Sequence, residues 1–580
     1  MKQGLMKWTL PAVTLLTLSG CIDDKYDLSD IDTTSQIKVN NLEIPVNLKE
    51  ITLDKVLDVD NDDEDAIITT FTQNGETFYA VQKKGEFNAD PVHIDNVNAP
   101  SARLSQPSVK QIEVPEGFKP GSVKIPVPYI DATFDYDVKD VDQAIKSIQE
   151  FGLKNDAKMK IEIYFSSDEL AKAGIDWELS NLTIQLPEGF QGNYGNYEID
   201  NNSGQIYVPT FSDRNGEKRL IIEVDNLDLS RTYPSTDGLV NENGNINING
   251  SLAIAAGEIS VTSGSSIPSV IDLKVNFSMS AFSVESFSGE INYEVEAPSI
   301  SSVDLSSLPD FLTGPGSEIT LYNPQLYLSV KNMPGEYGVE AHTGLTIQPL
   351  HNGMAQESPI TADFSIGKNS SDGYYNLVMA PYPAQHSLNT FSSLQYVEVA
   401  GLSKVLYGTN GLPSAIDFNL NNPIITGKIF KFPLGTDMDF AGKYTFFTPL
   451  QFEKGSIIHY VKDENDWFEG DVDKMHIEHF KLSANASTNL PFDLTLIAYP
   501  WIKDGDNQYI DYQNPAQQTI PAGATDYEFS LTFPKEIDGL NGIYFDAVIF
   551  MQEEEALNPD QYVKLENIKA VVDGYYVTKF

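Results

Sequence analysis

Alternation of apolar and polar residues is the dominant pattern along this chain from residue 37 onward. The segments 529–533, 246–248 and 159–163 alternate residue by residue, which puts every second side chain on one face. Such a face suits a sheet that packs on one side and meets water on the other. Turn pairs such as Asn74-Gly75 separate these segments. The pattern predicts a mainly-β protein of tandem antiparallel β-sandwich (Ig-like) domains with a few short helices.

Three short apolar segments with helical spacing interrupt the alternation. The first comprises Val141, Ile145, Ile148 and Phe151 and predicts a short helix near 140–151. Similar segments occur at 303–312 and 402–406, and each of the three lies between two predicted strands. We interpret this order as an irregular internal repeat, although β-sandwich sequences also resemble one another in general.

Composition shifts and turn-rich stretches divide the chain into seven predicted segments. They are a signal peptide (1–20), an acidic tether (21–36), an N-terminal β region (37–108), a β-sandwich region with the short helix (109–290), two β-sandwich repeats (291–392 and 393–478) and a C-terminal β-sandwich (479–580).

The N-terminus has the three parts of a secretory signal. Lys2 and Lys7 precede an apolar run over 8–18, which ends in Leu18-Ser19-Gly20-Cys21. This ending resembles the bacterial lipoprotein signal, and the resemblance implies cleavage before Cys21 and acylation of that residue. Cys21 is also the chain's sole cysteine, which excludes an internal disulfide framework. An ordinary signal peptide is the alternative.

Acidic residues follow the cysteine closely. Residues 22–32 contain Asp23, Asp24 and Asp27 and have no apolar period. The segment resembles the export signal of surface lipoproteins in the Bacteroidetes. That resemblance implies a protein held in the outer membrane by its lipid and exposed at the cell surface, while a plain solvated spacer is the alternative.

The excess of acidic residues limits the classes of partner that the chain can bind. With 38 basic and 83 acidic residues the formal net charge is −45, so the chain repels nucleic acid phosphates. We therefore expect no nucleic acid partner and contact with the membrane only through the lipid anchor.

Motifs for catalysis are missing from the sequence. It contains neither a Gly-x-Ser-x-Gly nucleophile turn nor a Gly-rich phosphate loop. The one close histidine pair, His476 and His479, lies in a predicted strand, where residues three apart point to opposite faces. We therefore expect a protein without catalytic activity, and a surface glycosidase is the less favoured alternative.

Two kinds of polar loop carry candidate binding residues. Aromatic rings stand among polar residues at Trp467, Trp501, Tyr374 and Tyr375, where they could stack on a sugar or anchor a protein partner. Acidic loops also cluster hard oxygen ligands suited to Ca²⁺, with the candidate ligands Asp463, Asp466 and Asp471. Buried rings and solvated acidic loops are the structural alternatives. No other cofactor is expected.

These observations predict a non-catalytic lipoprotein of the outer membrane and cell surface with a binding or structural role. A more specific hypothesis is a carbohydrate-binding accessory protein of a glycan-uptake system, which depends on the aromatic loops.

Overall fold

The computed structural model describes residues 34–45, 51–57, 59, 66–73, 75–117, 124–211, 218–262, 267–355, 357–383, 388, 391, 393–409, 411–464 and 474–579. These residues are mainly β, arranged in antiparallel sandwiches with a few short helices, so the predicted fold class is confirmed. Within these ranges no helix has the length and apolar character needed to cross a membrane.

The strands of the first half of the chain are β1 (Thr34–Pro45), β2 (Ile51–Thr52), β3 (Ile68–Gln73), β4 (Glu76–Asn88), β5 (Asn98–Ala99), β6 (Arg103–Leu104), β7 (Lys110–Glu113), β8 (Lys124–Pro126), β9 (Ile130–Val138), β10 (Ile145–Leu153), β11 (Met159–Ser166), β12 (Trp177–Gln185), β13 (Phe190–Tyr194), β14 (Tyr197–Glu198), β15 (Gln205–Thr210), β16 (Lys218–Asp228), β17 (Leu239–Val240), β18 (Ile246–Val261), β19 (Val270–Met279) and β20 (Phe282–Glu294).

The strands of the second half are β21 (Val303–Asp304), β22 (Ile319–Thr320), β23 (Gln325–Asn332), β24 (Glu340–His351), β25 (Met354–Ala355), β26 (Ile360–Ile366), β27 (Tyr375–Ala380), β28 (Gln395–Glu398), β29 (Tyr407–Gly408), β30 (Ala415–Leu420), β31 (Ile424–Pro433), β32 (Phe440–Pro449), β33 (Gln451–Phe452), β34 (Ile457–Glu464), β35 (Met475–Thr488), β36 (Leu494–Asp504), β37 (Asn507–Ile510), β38 (Ala516–Ile520), β39 (Tyr527–Thr532), β40 (Ile537–Asp538), β41 (Leu540–Phe550), β42 (Glu555–Ala556) and β43 (Tyr562–Lys579).

Helices are short wherever they occur. The α-helices are α1 (Leu53–Val56), α2 (Asp168–Lys172), α3 (Leu229–Thr232) and α4 (Asp310–Thr313), and 3₁₀ turns cover Met333–Tyr337 and Ala400–Lys404.

One long sheet joins the first two sandwiches. Its main path runs β21-β30-β24-β31-β20-β10-β16-β11-β19-β7. The sheet β15-β12-β18-β9-β6 covers one part of it, where Phe134 packs edge to face on Phe190 and Tyr136 on Phe282. The sheet β28-β27-β23-β32-β4-β3 covers another part, where Phe418 contacts Tyr444. The two sandwiches therefore share a layer.

The third sandwich has its own core and contains both ends of the described chain. Its terminal sheet runs β1-β43-β35-β39, and β2 and β40 join it at β43 and β35. Its second sheet, named the β36 sheet below, runs β34-β41-β36-β37, with β38 paired to β36. Leu482 and Phe529 of the terminal sheet share a buried cluster with Leu494 and Ile543 of the β36 sheet.

These pairings cross some of the predicted segment boundaries. Residues 37–108 do not form a separate β region, because β1 and β2 pair with the C-terminal β43 while β4 pairs with β32. Similarly, β34 of the predicted repeat 393–478 pairs with β41 of the predicted segment 479–580. The exact domain boundaries stay predictions.

The predicted short helix near 140–151 is wrong. Residues Ile145–Leu153 form β10, in which Ile145, Ile148 and Phe151 are fully buried. The pairing of β10 with β20 shifts register between Ile145 and Ser147 and again between Ile148 and Glu150. Each β-bulge adds one residue to the strand's period of two, so the buried positions recur every three residues and resemble a helical pattern.

Candidate ligand-binding surface

The outer face of the β36 sheet carries a group of aromatic rings next to the predicted binding residue Trp501. Alternation along β36 turns Leu494, Ala498 and Ile502 into the core, where all three are buried. Residues of the opposite parity, Tyr499 and Trp501 among them, therefore project from the outer face. The same alternation governs the neighbouring strands, since their pairing is antiparallel and in register here.

Three tyrosines meet on this outer face. Tyr499 of β36 lies opposite Tyr544 of β41, and their ring centroids are 6.2 Å apart. Tyr512 follows β37 and closes the group, with its centroid 5.1 Å from Tyr499 and 6.2 Å from Tyr544. Tyr512 remains 57% exposed. We name Tyr499, Trp501, Tyr512 and Tyr544 the tyrosine face.

A histidine–carboxylate pair borders these rings. Nδ1 of His459 on β34 lies 3.0 Å from Oδ2 and 3.1 Å from Oδ1 of Asp546 on β41. The Asp546 carboxylate is mostly buried, with 14% of its side chain exposed. Burial raises the pKa of Tyr499, and the nearby Asp546 and Tyr512 raise it further. The face thus combines apolar ring surfaces with hydrogen-bonding groups held in place by the sheet.

Trp501 is the one predicted binding tryptophan that the structure describes. It is half-buried on β36, paired on one side with Gly542 and on the other with Ile510. Its indole Nε1 is buried and has no hydrogen-bond partner within the described ranges. An indole nitrogen is a donor only, so this N–H is an unsatisfied donor at the tyrosine face. Because this N–H is buried, Trp501 contributes packing to this surface.

Most of the other candidates around β34 lie outside the described residues. This holds for Trp467 and for the predicted calcium ligands Asp466 and Asp471. Asp463 belongs to β34, and its backbone pairs with Tyr544, while its side chain lies outside the description. The backbone pairing places Asp463 next to the tyrosine face. Calcium binding by these three residues stays a prediction.

Tyr374 and Tyr375 lie in a different sheet from Trp501. Both are half-buried where β27 begins, and the Tyr374 backbone N–H donates to Oδ1 of Asp372 at 3.1 Å. Tyr375 packs against Gly367, and burial raises the pKa of its hydroxyl. The structure therefore does not bring these two tyrosines together with the tyrosine face.

The acidic turn after β36 is held by hydrogen bonds and strand pairing within the protein. Asp504 and Asn507 pair across a hairpin turn, and the Asp511 carboxylate accepts a hydrogen bond from the backbone N–H of Gln513 at 3.0 Å. Over the described ranges, no three His, Cys, Asp or Glu residues are grouped so that they could hold a metal ion.

The histidine pair noted in the sequence serves the terminal sheet. Nδ1 of His476 lies 2.7 Å from Oδ1 of Asp538, and its Nε2 lies 3.3 Å from Oε2 of Glu536. His479 is exposed on the same strand, one β-bulge further along. The contacts of His476 join β35 to β40, which is a structural role.

Sequence reasoning missed Tyr512 and Tyr544 as members of this surface. Tyr499 was visible beside Trp501, but Tyr544 reaches it only through the pairing of β36 with β41. The alternation in Ile543-Tyr544-Phe545 was a usable signal, since it places Tyr544 opposite the core residue Ile543. Only the register of the two strands could show that the rings meet.

Comparisons with known proteins give no family. No protein-family model matches the chain, and no curated protein matches it. Among solved structures, a Parabacteroides distasonis protein inferred to be secreted is 15% identical, with 50% of this chain and 90% of that chain covered at a TM-score of 0.34. The Faustovirus major capsid protein is 7% identical, with 88% and 92% covered at a TM-score of 0.09. Likenesses this weak carry neither a fold nor a function to this chain.

Proposed function

We propose that this chain is a non-catalytic surface lipoprotein of the outer membrane and that its tyrosine face binds a neutral glycan. The observation that supports glycan binding is the meeting of Tyr499, Tyr512 and Tyr544 on the outer face of the β36 sheet. Grouped aromatic rings that stay accessible at a surface mark interaction sites in soluble proteins.

The chemistry of the tyrosine face suits a sugar. A pyranose ring presents an apolar C–H face and a rim of hydroxyls. Tyr512, being more than half exposed, offers a ring surface for the C–H face. The tyrosine hydroxyls both donate and accept hydrogen bonds, so the hydroxyl rim would find partners of both kinds.

Charge favours a neutral ligand. The chain carries a formal charge of −45, and Asp546 lies beside the tyrosine face. An acidic polysaccharide would approach against this field, whereas an uncharged glycan would not.

The evidence for a lipid anchor lies in the N-terminal sequence. Leu18-Ser19-Gly20-Cys21 supplies the attachment site, and the acidic residues that follow it support display at the cell surface. The described body begins at Thr34, about a dozen residues after the proposed lipid. A tether of this length would let the negatively charged body stand clear of anionic lipid headgroups.

Affinity electrophoresis tests glycan binding. The soluble chain from residue 22 onward is run in native gels that contain starch, laminarin, xylan or mannan. We expect retardation by at least one of these neutral polysaccharides. Tyr512→Ala should weaken this retardation, because loss of an aromatic anchor typically costs about 2 kcal/mol of binding free energy. Since Tyr512 is exposed, the free energy of unfolding should change by less than about 0.5 kcal/mol.

The matched control is Tyr129→Ala, because Tyr129 is also more than half exposed but belongs to the connection between β8 and β9. Its retardation should equal that of the wild type. If the Tyr512→Ala variant were retarded as strongly as the wild type, the tyrosine face would not be the glycan-binding site.

A protein partner is the second candidate for the same face. Val461 and Phe550 are each about half exposed and project from the outer side of the β36 sheet. They extend the aromatic surface with apolar area of the kind found at protein interfaces. Phe550→Ala should weaken binding of a protein partner that covers the whole face, whereas a sugar held by the three tyrosines would be unaffected.

A further inference from the structure

The three tyrosine rings of the tyrosine face are steeply inclined to one another. The ring planes of Tyr499 and Tyr512 meet at 65°, and those of Tyr512 and Tyr544 meet at 77°. The planes of Tyr499 and Tyr544 meet at 50°. One flat surface can lie against several rings at once only where the ring planes are nearly parallel. No plane is therefore parallel to any two of these three rings.

The triangle that these three rings form is compact. Its sides, measured between ring centroids, are 5.1, 6.2 and 6.2 Å long. Aromatic rings in contact have centroids roughly 4.5–7 Å apart, so the tyrosines contact one another and leave no gap for a sugar between them. Trp501, which follows Tyr499 on the same face of β36, is half-buried and supports the triangle by packing. A sugar must therefore bind on top of the triangle, over a footprint of about two pyranose rings.

Exposure is unequal within the triangle. Tyr512 is more than half exposed, whereas Tyr499 and Tyr544 are half-buried. One sugar residue can stack on the ring of Tyr512, and its neighbour in the chain can reach the two half-buried rings and their hydroxyls. Burial raises the pKa of the Tyr499 hydroxyl, and Asp546 and Tyr512 raise it further, so this hydroxyl stays protonated and can donate as well as accept hydrogen bonds.

We propose that the tyrosine face binds a short stretch of a single soluble glycan chain and does not bind the flat surface of a crystalline polysaccharide. This inference rests on the glycan binding proposed above and narrows its ligand class. A crystalline surface presents sugar rings whose faces are coplanar, so it would contact one tyrosine ring at a time. A chain free in solution rotates about its glycosidic bonds, so its successive residues can follow rings that are inclined by 50° to 77°.

The small footprint also determines how affinity depends on chain length. Residues of a glycan beyond the triangle have no further ring of this group to contact, so they add only alternative registers of binding. We therefore expect affinity to rise from the monosaccharide to the trisaccharide and then to level off. A row of parallel rings would instead give an affinity that keeps rising as the chain is lengthened.

Isothermal titration calorimetry with the soluble chain from residue 22 onward tests the length dependence. The probes are maltose, maltotriose and maltohexaose, and the laminari-, xylo- and manno-oligosaccharides of the same lengths. In at least one series we expect the hexasaccharide to bind less than about five-fold more tightly than the trisaccharide. Tyr512→Ala should weaken the trisaccharide about 30-fold, as for an aromatic anchor. Tyr129→Ala is the matched control and should bind it like the wild type, since Tyr129 is equally exposed outside this sheet.

Sedimentation with microcrystalline cellulose and with crystalline chitin tests the exclusion of flat surfaces. We expect the wild type to stay in the supernatant with both solids. Sedimentation that Tyr512→Ala abolishes would overturn the inference but leave the glycan site at the tyrosine face intact. A hexasaccharide that binds more than about five-fold more tightly than the trisaccharide in every series that binds would do the same. If no soluble oligosaccharide binds, the inference and the proposed function are both overturned.

Discussion

At the scale of single residues, the tyrosines show how environment separates structural from functional side chains. Tyr136 is fully buried, and its hydroxyl donates to the carbonyl oxygen of Ser280 at 2.9 Å. Burial raises the pKa of that hydroxyl well above its usual range. Tyr512 presents most of its ring to solvent beside two other rings. The first residue stabilises a core, and the second is available to a ligand.

His476 provides a pH-dependent contribution to stability. Its hydrogen bond to Asp538, with a further contribution from Glu536, raises its pKa above the ordinary value of about 6.5. The charged form is therefore favoured in the folded state. The resulting stability is fully present below about pH 6.5 and is lost as the pH rises through the raised pKa.

Urea unfolding at about pH 5.5 and about pH 9 tests the pH-dependent contribution of His476 to stability. His476→Gln should lower the free energy of unfolding more at the acidic pH, by less than about 1 kcal/mol, because the Asp538 side chain is 80% exposed and the pair is screened. His342→Gln is the control, since the His342 ring bonds the neutral Ser365 hydroxyl instead of a carboxylate. A His476→Gln difference that is the same at both pH values would contradict the assignment.

At the scale of elements, alternation in the sequence correctly predicted strands but could not predict their bulges or partners. The segments 159–163 and 246–248 alternate cleanly and lie in β11 and β18. The predicted helix near 140–151 was wrong because two β-bulges in the strand Ile145–Leu153 space its buried side chains by three. Tyr544 pairs with Tyr499 although the two residues are 45 positions apart in the sequence. No local sequence pattern could predict that pairing.

The edge position of β1 leads to a prediction about the third sandwich. β1 pairs with β43 from Thr34↔Lys579 to Pro45↔Lys569 and forms one edge of the terminal sheet. A chain that begins at residue 46 would expose the backbone groups of β43, and an uncovered edge promotes association. We expect a lower melting temperature and a larger apparent mass on size-exclusion chromatography than for a chain that begins at residue 34. Identical melting and elution of the two chains would contradict this role of β1.

At the scale of the whole molecule, the architecture separates a two-sandwich body with a shared sheet from a third sandwich that contains both described termini. β1, the first described element after the proposed lipid site at Cys21, belongs to the third sandwich. The tyrosine face lies in this same sandwich. The proposed glycan site and the first described strand after the proposed anchor therefore belong to one domain.

Lipid attachment is tested in a bacterial host supplied with labelled palmitate. Cys21→Ala should take up no label and should keep its uncleaved N-terminus, because the acyl acceptor is missing. Ser29→Ala lies in the same tether and should be labelled like the wild type. Label that persists in the Cys21→Ala protein would show that Cys21 is not the attachment site.

The most direct measurement of the central claim is a glycan array probed with the soluble chain and with its Tyr544→Ala variant. Tyr544 is the ring that only the strand register brings into the tyrosine face, so the comparison tests the geometry as well as the ligand class. The account predicts that the wild type binds at least one class of neutral glycans and that Tyr544→Ala loses this binding while it melts at nearly the same temperature. An array on which the wild type binds nothing, or binds as strongly as the variant does, would contradict it.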